Sequence, residues 1–327
     1  MNRRAFITLL GSAAAGSPLA ARAQHPAAPV IGFLGSQSPD SIPDYLRALR
    51  QGLKEAGFVE GETVAIEYRW AENQVDRLPA LATDLVRRRV AMIVSGGGPA
   101  SMAAGKTTSS IPIVFLVAED PVRLGLVASL ARPGGNATGV NFFSAELAAK
   151  RLELLRELVP GAARIAVLVN PTETAVAAAN LRDVEAAARA MGVEIRVLNA
   201  STRDEVDDAY ATLARERLDA LFISSGPFFS DRRVQMAHLA TRYALPAIHG
   251  SRLYAEVGGL ITYGANIAHA YRQAGIYAGR VLKGGKPADL PVVQSSKFEL
   301  VVNLHAAKLL GITVPPSLLA TADEVIE

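Results

Sequence analysis

Short runs of apolar, often β-branched residues alternate with longer amphipathic stretches along most of the chain. In the longer stretches apolar residues recur every three or four positions, as at Leu46, Leu49 and Leu53, which is the spacing of one helix face. Strands that alternate with helices form parallel sheets covered by helices on both faces. The pattern therefore predicts an α/β fold with strands at 30–34, 64–68, 91–94, 113–117, 138–141, 165–169, 194–198, 220–223, 247–249 and 260–263.

The first five strand segments and the next five resemble each other in sequence. Three pairs of segments align in the same order at a nearly constant offset: 31–36 with 165–170, 91–97 with 220–226, and 111–113 with 245–247. A repeat of this length indicates a duplicated structural unit. We therefore expect two doubly wound, Rossmann-like lobes.

The segment after the second repeat follows a different pattern. It predicts a helix over 267–282, a strand over 298–302 and a short helix over 304–310. A tail that returns to both lobes would form a multi-strand hinge, which permits closure around a ligand. We assign 24–141 plus 264–297 to lobe one, and 142–263 plus 298–327 to lobe two.

The first residues have the pattern of an export signal rather than of the fold. Arg3 and Arg4 precede an apolar run from Ala5 to Ala15, and small residues surround position 23. This pattern predicts a signal peptide over 1–23, cleaved near Ala23, with a twin-arginine-like start. The protein is therefore expected in the periplasm.

Removal of the signal changes the charge balance of the chain. The full sequence has 34 basic and 31 acidic residues, a net charge of +3, but Arg3, Arg4 and Arg22 belong to the signal. The remaining 31 basic and 31 acidic residues cancel, which argues against a nucleic-acid partner. The chain has no cysteine, which excludes disulfides and thiolate chemistry.

Ligands of open parallel sheets bind beyond the carboxyl ends of the strands, where helices begin. Glycines there let a ligand approach the backbone. Asp120 is a candidate partner for an ammonium group or a cap for the next helix, and Phe228 is a candidate for stacking on a ring or for core packing. The candidates from position alone are Ser36, Gln37, Gly96, Gly97, Asp120, Asn170, Ser224, Phe228 and Ser251.

Motifs of catalysis are incomplete or missing. The Gly105-Lys106-Thr107 run resembles the end of a phosphate loop, but Ala100 stands where that motif requires glycine. The sequence contains neither a Gly-x-Ser-x-Gly elbow nor a His-Glu-x-x-His motif, and its five histidines lack ligand spacing. We therefore expect no enzymatic activity, no cofactor and no metal site.

Several motifs resemble the ABC-transporter substrate-binding family that includes tryptophan-type importer proteins. They include the Leu-Ala-Arg-Pro-Gly-Gly-Asn run at 130–136, the Asp-Pro-Val at 120–122 and the Lys-Phe-Glu-Leu at 297–300. The resemblance covers nearly all of the chain after the signal. It implies a type I periplasmic-binding-protein fold with the ligand between the lobes, and it adds Asn141 and Tyr263 to the candidate ligand-binding residues.

The function expected from these observations is that of a monomeric periplasmic binding protein. It would bind an aromatic amino acid or a related carboxylate and deliver it to the membrane permease of an ABC importer. Two alternatives remain open from the sequence. One is a transferase-like enzyme on the same doubly wound scaffold, and the other is the ligand-sensing domain of a receptor or regulator.

Overall fold

The computed structural model describes residues 28–142, 147–172, 174–295 and 297–327, so the predicted signal at 1–23 lies outside the described residues. The strands are β1 Val30–Gly35, β2 Ala65–Trp70, β3 Met92–Gly96, β4 Ile113–Val117, β5 Ala137–Asn141, β6 Arg164–Val169, β7 Glu194–Asn199, β8 Ala220–Ile223, β9 Ala247–His249, β10 Ile261–Ala265, β11 Val293–Gln294, β12 Phe298–Asn303 and β13 Glu324–Ile326. The helices are α1 Pro43–Glu55, α2 Leu78–Arg87, α3 Gly98–Thr107, α4 Ala148–Leu158, α5 Thr174–Met191, α6 Arg203–Glu216, α7 Pro227–Asp231, α8 Arg233–Arg242, α9 Arg252–Glu256, α10 Ile267–Leu282, α11 Leu304–Leu309 and α12 Pro316–Thr321.

The strands form two separate sheets that repeat one topology. The first sheet has six strands in the order β11-β5-β4-β3-β1-β2, and the second has seven in the order β13-β12-β10-β9-β8-β6-β7. The order β5-β4-β3-β1-β2 recurs as β10-β9-β8-β6-β7, and all of these neighbours pair in parallel. The predicted α/β fold with two doubly wound lobes is therefore confirmed.

Each sheet is covered on both faces because its strands carry apolar side chains in both directions. In β1, Ile31 and Phe33 belong to one buried cluster, and Leu34 belongs to the cluster on the opposite face. The second sheet is enclosed in the same way by two further clusters. Strands buried on both faces appear in sequence as continuous apolar runs, and these runs made the strands recognisable.

The tail adds to both sheets, as expected of a hinge. β11 pairs with β5 in the first sheet, whereas β12 pairs antiparallel with β10 and parallel with β13 in the second. Helix α10 packs against α1 of the first half. The chain thus crosses between the halves three times, between β5 and α4, between β10 and α10, and between β11 and β12.

Local sequence signals fix several helix ends. Helix α1 begins at Pro43, and Gly57 follows its end with a φ of +89°. The capping box predicted at Thr202 is present, because its side chain accepts from the Glu205 amide and the Glu205 side chain accepts from the Thr202 amide.

Candidate functional site

A cavity lies between the carboxyl edges of the two sheets and takes its walls from both halves. Its volume is about 90 Å³, several times the roughly 10–15 Å³ that one water molecule requires. The first half contributes residues at or just after the ends of β1, β3, β4 and β5 and from helices α1 and α10: Gln37, Tyr45, Gly97, Gly98, Leu116, Ala118, Glu119, Phe142, Ile267 and Tyr271. The second half contributes residues that follow β8 and β9: Ser225, Gly226, Pro227, Ser230, His249, Gly250 and Ser251.

The glycine turn after β3 brings the backbone up to this cavity. Gly97 has a φ of +97°, a conformation that favours glycine, and its amide donates to the carbonyl of Leu116 over 2.9 Å. A Cβ at Gly96 would lie 2.9 Å from the Tyr271 hydroxyl. The buried Ser36 packs beneath the turn, and its Oγ lies 3.2 Å from the position that a Cβ added to Gly97 would occupy. These residues shape the floor of the cavity.

Two tyrosines from different helices form an aromatic wall. The rings of Tyr45 on α1 and Tyr271 on α10 stack with centroids 5.3 Å apart and an interplanar angle of 28°. The Tyr45 hydroxyl also lies 3.2 Å from the Ser251 Oγ in the second half. Burial raises the pKa of Tyr45 to about 12, so the phenol stays neutral and able to donate.

Neighbouring acidic residues after β4 occupy different environments. Glu119 is buried, 8% exposed, and lines the cavity, and its Oε2 accepts from the Ala118 amide over 3.1 Å. Asp120 is exposed and does not line the cavity. Its carboxylate accepts from the amides of Val122 and Arg123 over 2.8 and 3.4 Å, which caps the following turn.

Opposite the glycine turn, a buried arginine supports a serine of the cavity wall. Arg151 is fully buried, and its Nη1 donates to the Ser225 Oγ over 3.0 Å. Because that oxygen accepts from the guanidinium, the Ser225 hydroxyl proton is directed elsewhere. Burial lowers the pKa of Arg151 to about 10, so the guanidinium remains charged at neutral pH.

His249 is buried at the end of β9. Its Nδ1 accepts from the Ser251 amide over 3.0 Å, which assigns the proton of the neutral ring to Nε2. Burial is the main cause that lowers the pKa of His249 to about 3, and the positive charge of Arg151 is the second cause. The imidazole is therefore neutral at neutral pH.

One carboxylate of the second half accepts three hydrogen bonds from the first half. Asp231, the last residue of α7, accepts from Gln37 Nε2 and from the Ser38 amide, each over 3.4 Å, and from Asn73 Nδ2. Asn73 adopts a left-handed φ of +63°, uncommon for a residue other than glycine. We call Asp231 and its three donors the interhalf contact.

The structure brings some of the sequence-predicted residues to the cavity and not others. Gln37, Gly97 and Ser251 line it, and Ser36 and Gly96 lie directly behind its floor. The remaining candidates do not line it: Asp120, Asn141, Asn170, Ser224, Phe228 and Tyr263.

Most of these remaining residues are buried in structural roles. Asn141 donates from Nδ2 to the Glu119 carbonyl over 2.5 Å, which fixes the turn that carries Glu119. Asn170 accepts from the amide and hydroxyl of Thr172. Ser224 donates its amide to the Leu168 carbonyl, and Phe228 packs edge-on against Phe229.

Tyr263 is half-buried on β10 and packs against the apolar cluster beneath α4. Its ring faces that of Phe298, with the centroids 6.4 Å apart, across the antiparallel β10–β12 pair. It therefore joins the tail to the second half, at a distance from the cavity wall.

Sequence reasoning did not select Tyr45, Glu119 or Tyr271 as site residues. The two tyrosines lie on apolar helix faces, where the spacing indicates core packing and gives no sign of a cavity. Glu119 directly follows a buried strand and precedes Asp120. Position after the strand does not distinguish Glu119 from Asp120 in the sequence. The turn that follows β4 decides which of the two carboxylates is buried.

Within the described ranges, no helix is long and apolar enough to cross a membrane. Over the same ranges, no three or more histidine, aspartate or glutamate side chains come together in a way that could hold a metal ion.

Two duplicated sheets joined by three crossings, with a cavity between their carboxyl edges, define the class of two-lobed binding proteins with the type I periplasmic-binding fold. The chain belongs to the ABC transporter substrate binding protein family, whose sequence model matches residues 31–326. The predicted family is thereby confirmed.

Individual relatives agree with this assignment. A tyrosine-binding protein of Clostridioides difficile is 27% identical over 263 residues, which span 80% of this chain and 74% of the relative. The structure of an ABC domain of Streptococcus pneumoniae in complex with L-Trp is 25% identical, has a TM-score of 0.82, and covers 91% of this chain and 100% of its own. A conserved domain protein of Vibrio cholerae is 26% identical, has a TM-score of 0.83, and covers 91% and 99%.

Proposed function

We propose that this chain is the periplasmic solute-binding component of an ABC importer, and that its ligand is an aromatic amino acid or a related carboxylate bound between the lobes. The observation that carries the proposal is the cavity walled by both halves of a duplicated fold. A ligand in such a cavity contacts both lobes at once, so binding favours the closed arrangement. Closure also buries most of a small ligand, which makes a few polar contacts effective.

The aromatic ligand class is supported by two independent observations. The stacked Tyr45–Tyr271 wall, with Phe142 and Ile267 beside it, offers an apolar surface on which a ring can pack. Two relatives are described as a tyrosine-binding protein and as a complex with L-Trp.

Among the sequence candidates, we propose Gln37, Gly97 and Ser251 as direct ligand contacts, since they line the cavity. Ser36 and Gly96 would pack directly behind the cavity wall and so limit its depth on that side. The other candidates, Asp120 and Asn141 among them, would act on the ligand only through the residues that they position.

The lobe division follows the sheets in this proposal. Lobe one comprises 24–141 plus 264–297, and lobe two comprises 142–263 plus 298–327. The membership of β11 in the first sheet and of β12 in the second supports this division, with β10 extending to Ala265, two residues past the proposed boundary. The tail segments between the sheets would then form the hinge.

Export and delivery complete the proposed function. Residues 1–23 would direct the chain to the periplasm and be removed, and the mature chain would act as a monomer. The closed, loaded form would dock on a membrane permease, which receives the ligand chemically unchanged.

A thermal-shift screen with amino acids and aromatic acids tests the proposal. A ligand at about 100 times its Kd adds about 2.7 kcal/mol to the free energy of unfolding, so the Tm should rise by several degrees. Mass spectrometry of the ligand after incubation is the control for turnover. A Tm that no compound raises would contradict the proposal, and a chemically altered ligand would favour the transferase-like alternative.

A further inference from the structure

The carboxylate of Glu119 lies in the cavity wall without a cationic side chain as its partner in the described ranges. Its Oε1 packs so closely against Gly98, the first residue of α3, that a side chain at position 98 would overlap it. Its Oε2 accepts from the Ala118 amide. No ion pair within 4.0 Å involves Glu119 among the described residues.

A buried carboxylate without a counter-ion is costly, because its hydration is lost and the backbone amides of Ala118 and Glu119 replace only part of it. Burial accordingly raises the pKa of the Glu119 carboxyl above its ordinary value. The start of α3 offsets part of this cost, since the helix N-terminus favours negative charge. A cation within the cavity would offset the remainder.

The other titratable groups of the cavity wall are neutral. They are Tyr45, Tyr271 and His249, and burial raises the pKa of both tyrosines and lowers that of the histidine. Among the described cations, Arg151 lies behind Ser225, and Lys106 lines a neighbouring cavity that Glu119 also borders. The charge of Arg233 acts on Tyr45 and His249. None of the three forms an ion pair with Glu119. When ionised, Glu119 is therefore the one charged side chain among the described residues that line the cavity.

We propose that Glu119 binds a protonated amine of the ligand, and that this site therefore selects ammonium-bearing aromatic compounds over aromatic carboxylates without an amine. The inference rests on the proposed function and decides between its two ligand classes. An amine hydrogen-bonded to a desolvated carboxylate forms a charge-assisted contact, which is stronger than one between neutral groups.

The opposite wall fits the other end of an amino acid. The Ser225 hydroxyl, which accepts from Arg151, has its proton free to donate to a ligand oxygen. The Arg151 charge behind it strengthens that donation to a carboxylate. A zwitterionic amino acid would thus have its ammonium on the first half and its carboxylate on the second.

Isothermal titration calorimetry with matched probes tests the inference on the mature protein. The probes are L-tryptophan, tryptamine and indole-3-propionate, with L-tyrosine, tyramine and the corresponding hydroxyphenylpropionate as a second series. Wild-type protein should bind the amino acids most tightly and the amines more tightly than the deaminated acids. This comparison needs no variant, so it remains decisive even if substitution of Glu119 impairs folding.

The variant Glu119→Gln keeps the shape of the side chain and removes its charge. It should lower the affinity for L-tryptophan or L-tyrosine roughly 10- to 100-fold and reduce the preference for the amine over the deaminated acid. Glu62→Gln, an exposed acid before β2 at the opposite edge of the same sheet, is the matched control and should bind as the wild type does.

Several outcomes would overturn the inference. One is a deaminated acid that binds wild-type protein as tightly as its amino acid. A second is an unchanged amino-acid affinity in folded Glu119→Gln, and another is a loss of affinity in Asp120→Asn instead. The two results with variants would leave the proposed function intact and return Glu119 to supporting the start of α3. The last is the absence of binding by every probe to wild-type protein, which would reject an aromatic amino-acid ligand and this inference together.

Discussion

At the scale of single residues, the site depends on groups whose ionisation is set by burial. Glu119 and Asp120 are adjacent in sequence, yet one carboxylate is buried at the cavity and the other caps an exposed turn. His249 is held neutral beside the charged Arg151. Such groups link the stability of the protein to pH, because their protonation differs between the folded and unfolded states.

The neutral state of His249 predicts a loss of stability on mild acidification. The unfolded chain takes up a proton as the pH falls below about 6.5, whereas the folded chain does so only near 3. The free energy of unfolding should therefore fall through this window, by up to about 1.4 kcal/mol per pH unit. Urea unfolding at several pH values between 7 and 5 measures the slope, and His249→Asn should reduce it.

The exposed His238 on α8 provides the control for this slope. His238→Asn should keep the pH dependence of the wild type.

The carboxyl of Glu119 contributes to the pH dependence of stability in the opposite direction from His249. Folding raises its pKa, so its protonation on acidification adds to the free energy of unfolding. Equal slopes for the wild type and His249→Asn would mean that the imidazole takes up its proton over the same pH range in the folded and the unfolded protein, which would contradict the prediction.

At the scale of elements, the aromatic wall is set by the contact between α1 and α10. A Cβ added to Gly52 would overlap the carbonyl oxygen of Arg272, and a Cβ added to Gly275 would overlap the carbonyl oxygen of Leu49. The two helices therefore touch backbone to backbone, which brings Tyr45 and Tyr271 within stacking distance. The sequence predicted both helices, but the glycine contact between them became visible only in the packed structure.

Substitution of either interhelical glycine should destabilise the protein. In an exposed helix Gly→Ala stabilises by roughly 0.5–1 kcal/mol, but at Gly52 or Gly275 the new methyl group would force the helices apart, at a cost of about 1–3 kcal/mol. Urea denaturation of Gly52→Ala and Gly275→Ala should therefore show lower midpoints.

The matched control is a helical glycine with room around it. Gly105 on α3 is exposed, and a Cβ there would make only an ordinary contact, 3.4 Å from a Leu126 methyl carbon. Gly105→Ala should leave the midpoint unchanged or raise it. If Gly52→Ala behaved like Gly105→Ala, the close helix contact would be refuted.

At the scale of the whole molecule, the interhalf contact closes the cleft on the side of α7. Asp231 accepts from three donors of the first half, and Asn73 supplies one of them from a left-handed turn. A backbone held in that conformation costs energy, which the hydrogen bond to a carboxylate helps to offset. The contact exists only while the halves are together.

Removal of this carboxylate should favour the open arrangement and so weaken binding. The apparent affinity of a ligand that binds only the closed form is proportional to the fraction of the protein that is closed, so it falls when that fraction falls. We expect Asp231→Ala to raise the Kd for L-tryptophan or L-tyrosine about tenfold, the equivalent of about 1.4 kcal/mol. The radius of gyration from small-angle X-ray scattering should also increase in the absence of ligand.

Asp208→Ala is the control, since Asp208 is exposed on α6 and makes no hydrogen bond or ion pair among the described residues. It should match the wild type in both measurements. An Asp231→Ala protein with wild-type affinity and radius would show that closure does not depend on the interhalf contact.

The sequence by itself determined the alternation of strands and helices, their duplication and the edge of each sheet at which the cavity lies. These features follow from apolar periodicity and from local signals such as Pro43 and the Thr202 capping box, which act over a few residues. It also placed Gln37, Gly97 and Ser251 at that edge, because strand ends can be recognised in one dimension.

Only the tertiary structure decided which side chains form the cavity. Tyr45 and Tyr271 lie more than two hundred residues apart, and they meet because two helices pack at glycine. Glu119 faces inward and Asp120 outward because the turn after β4, fixed by the Asn141 amide, sets the direction of each side chain. Contacts between distant segments depend on how whole elements pack, and no local pattern in the chain records that arrangement.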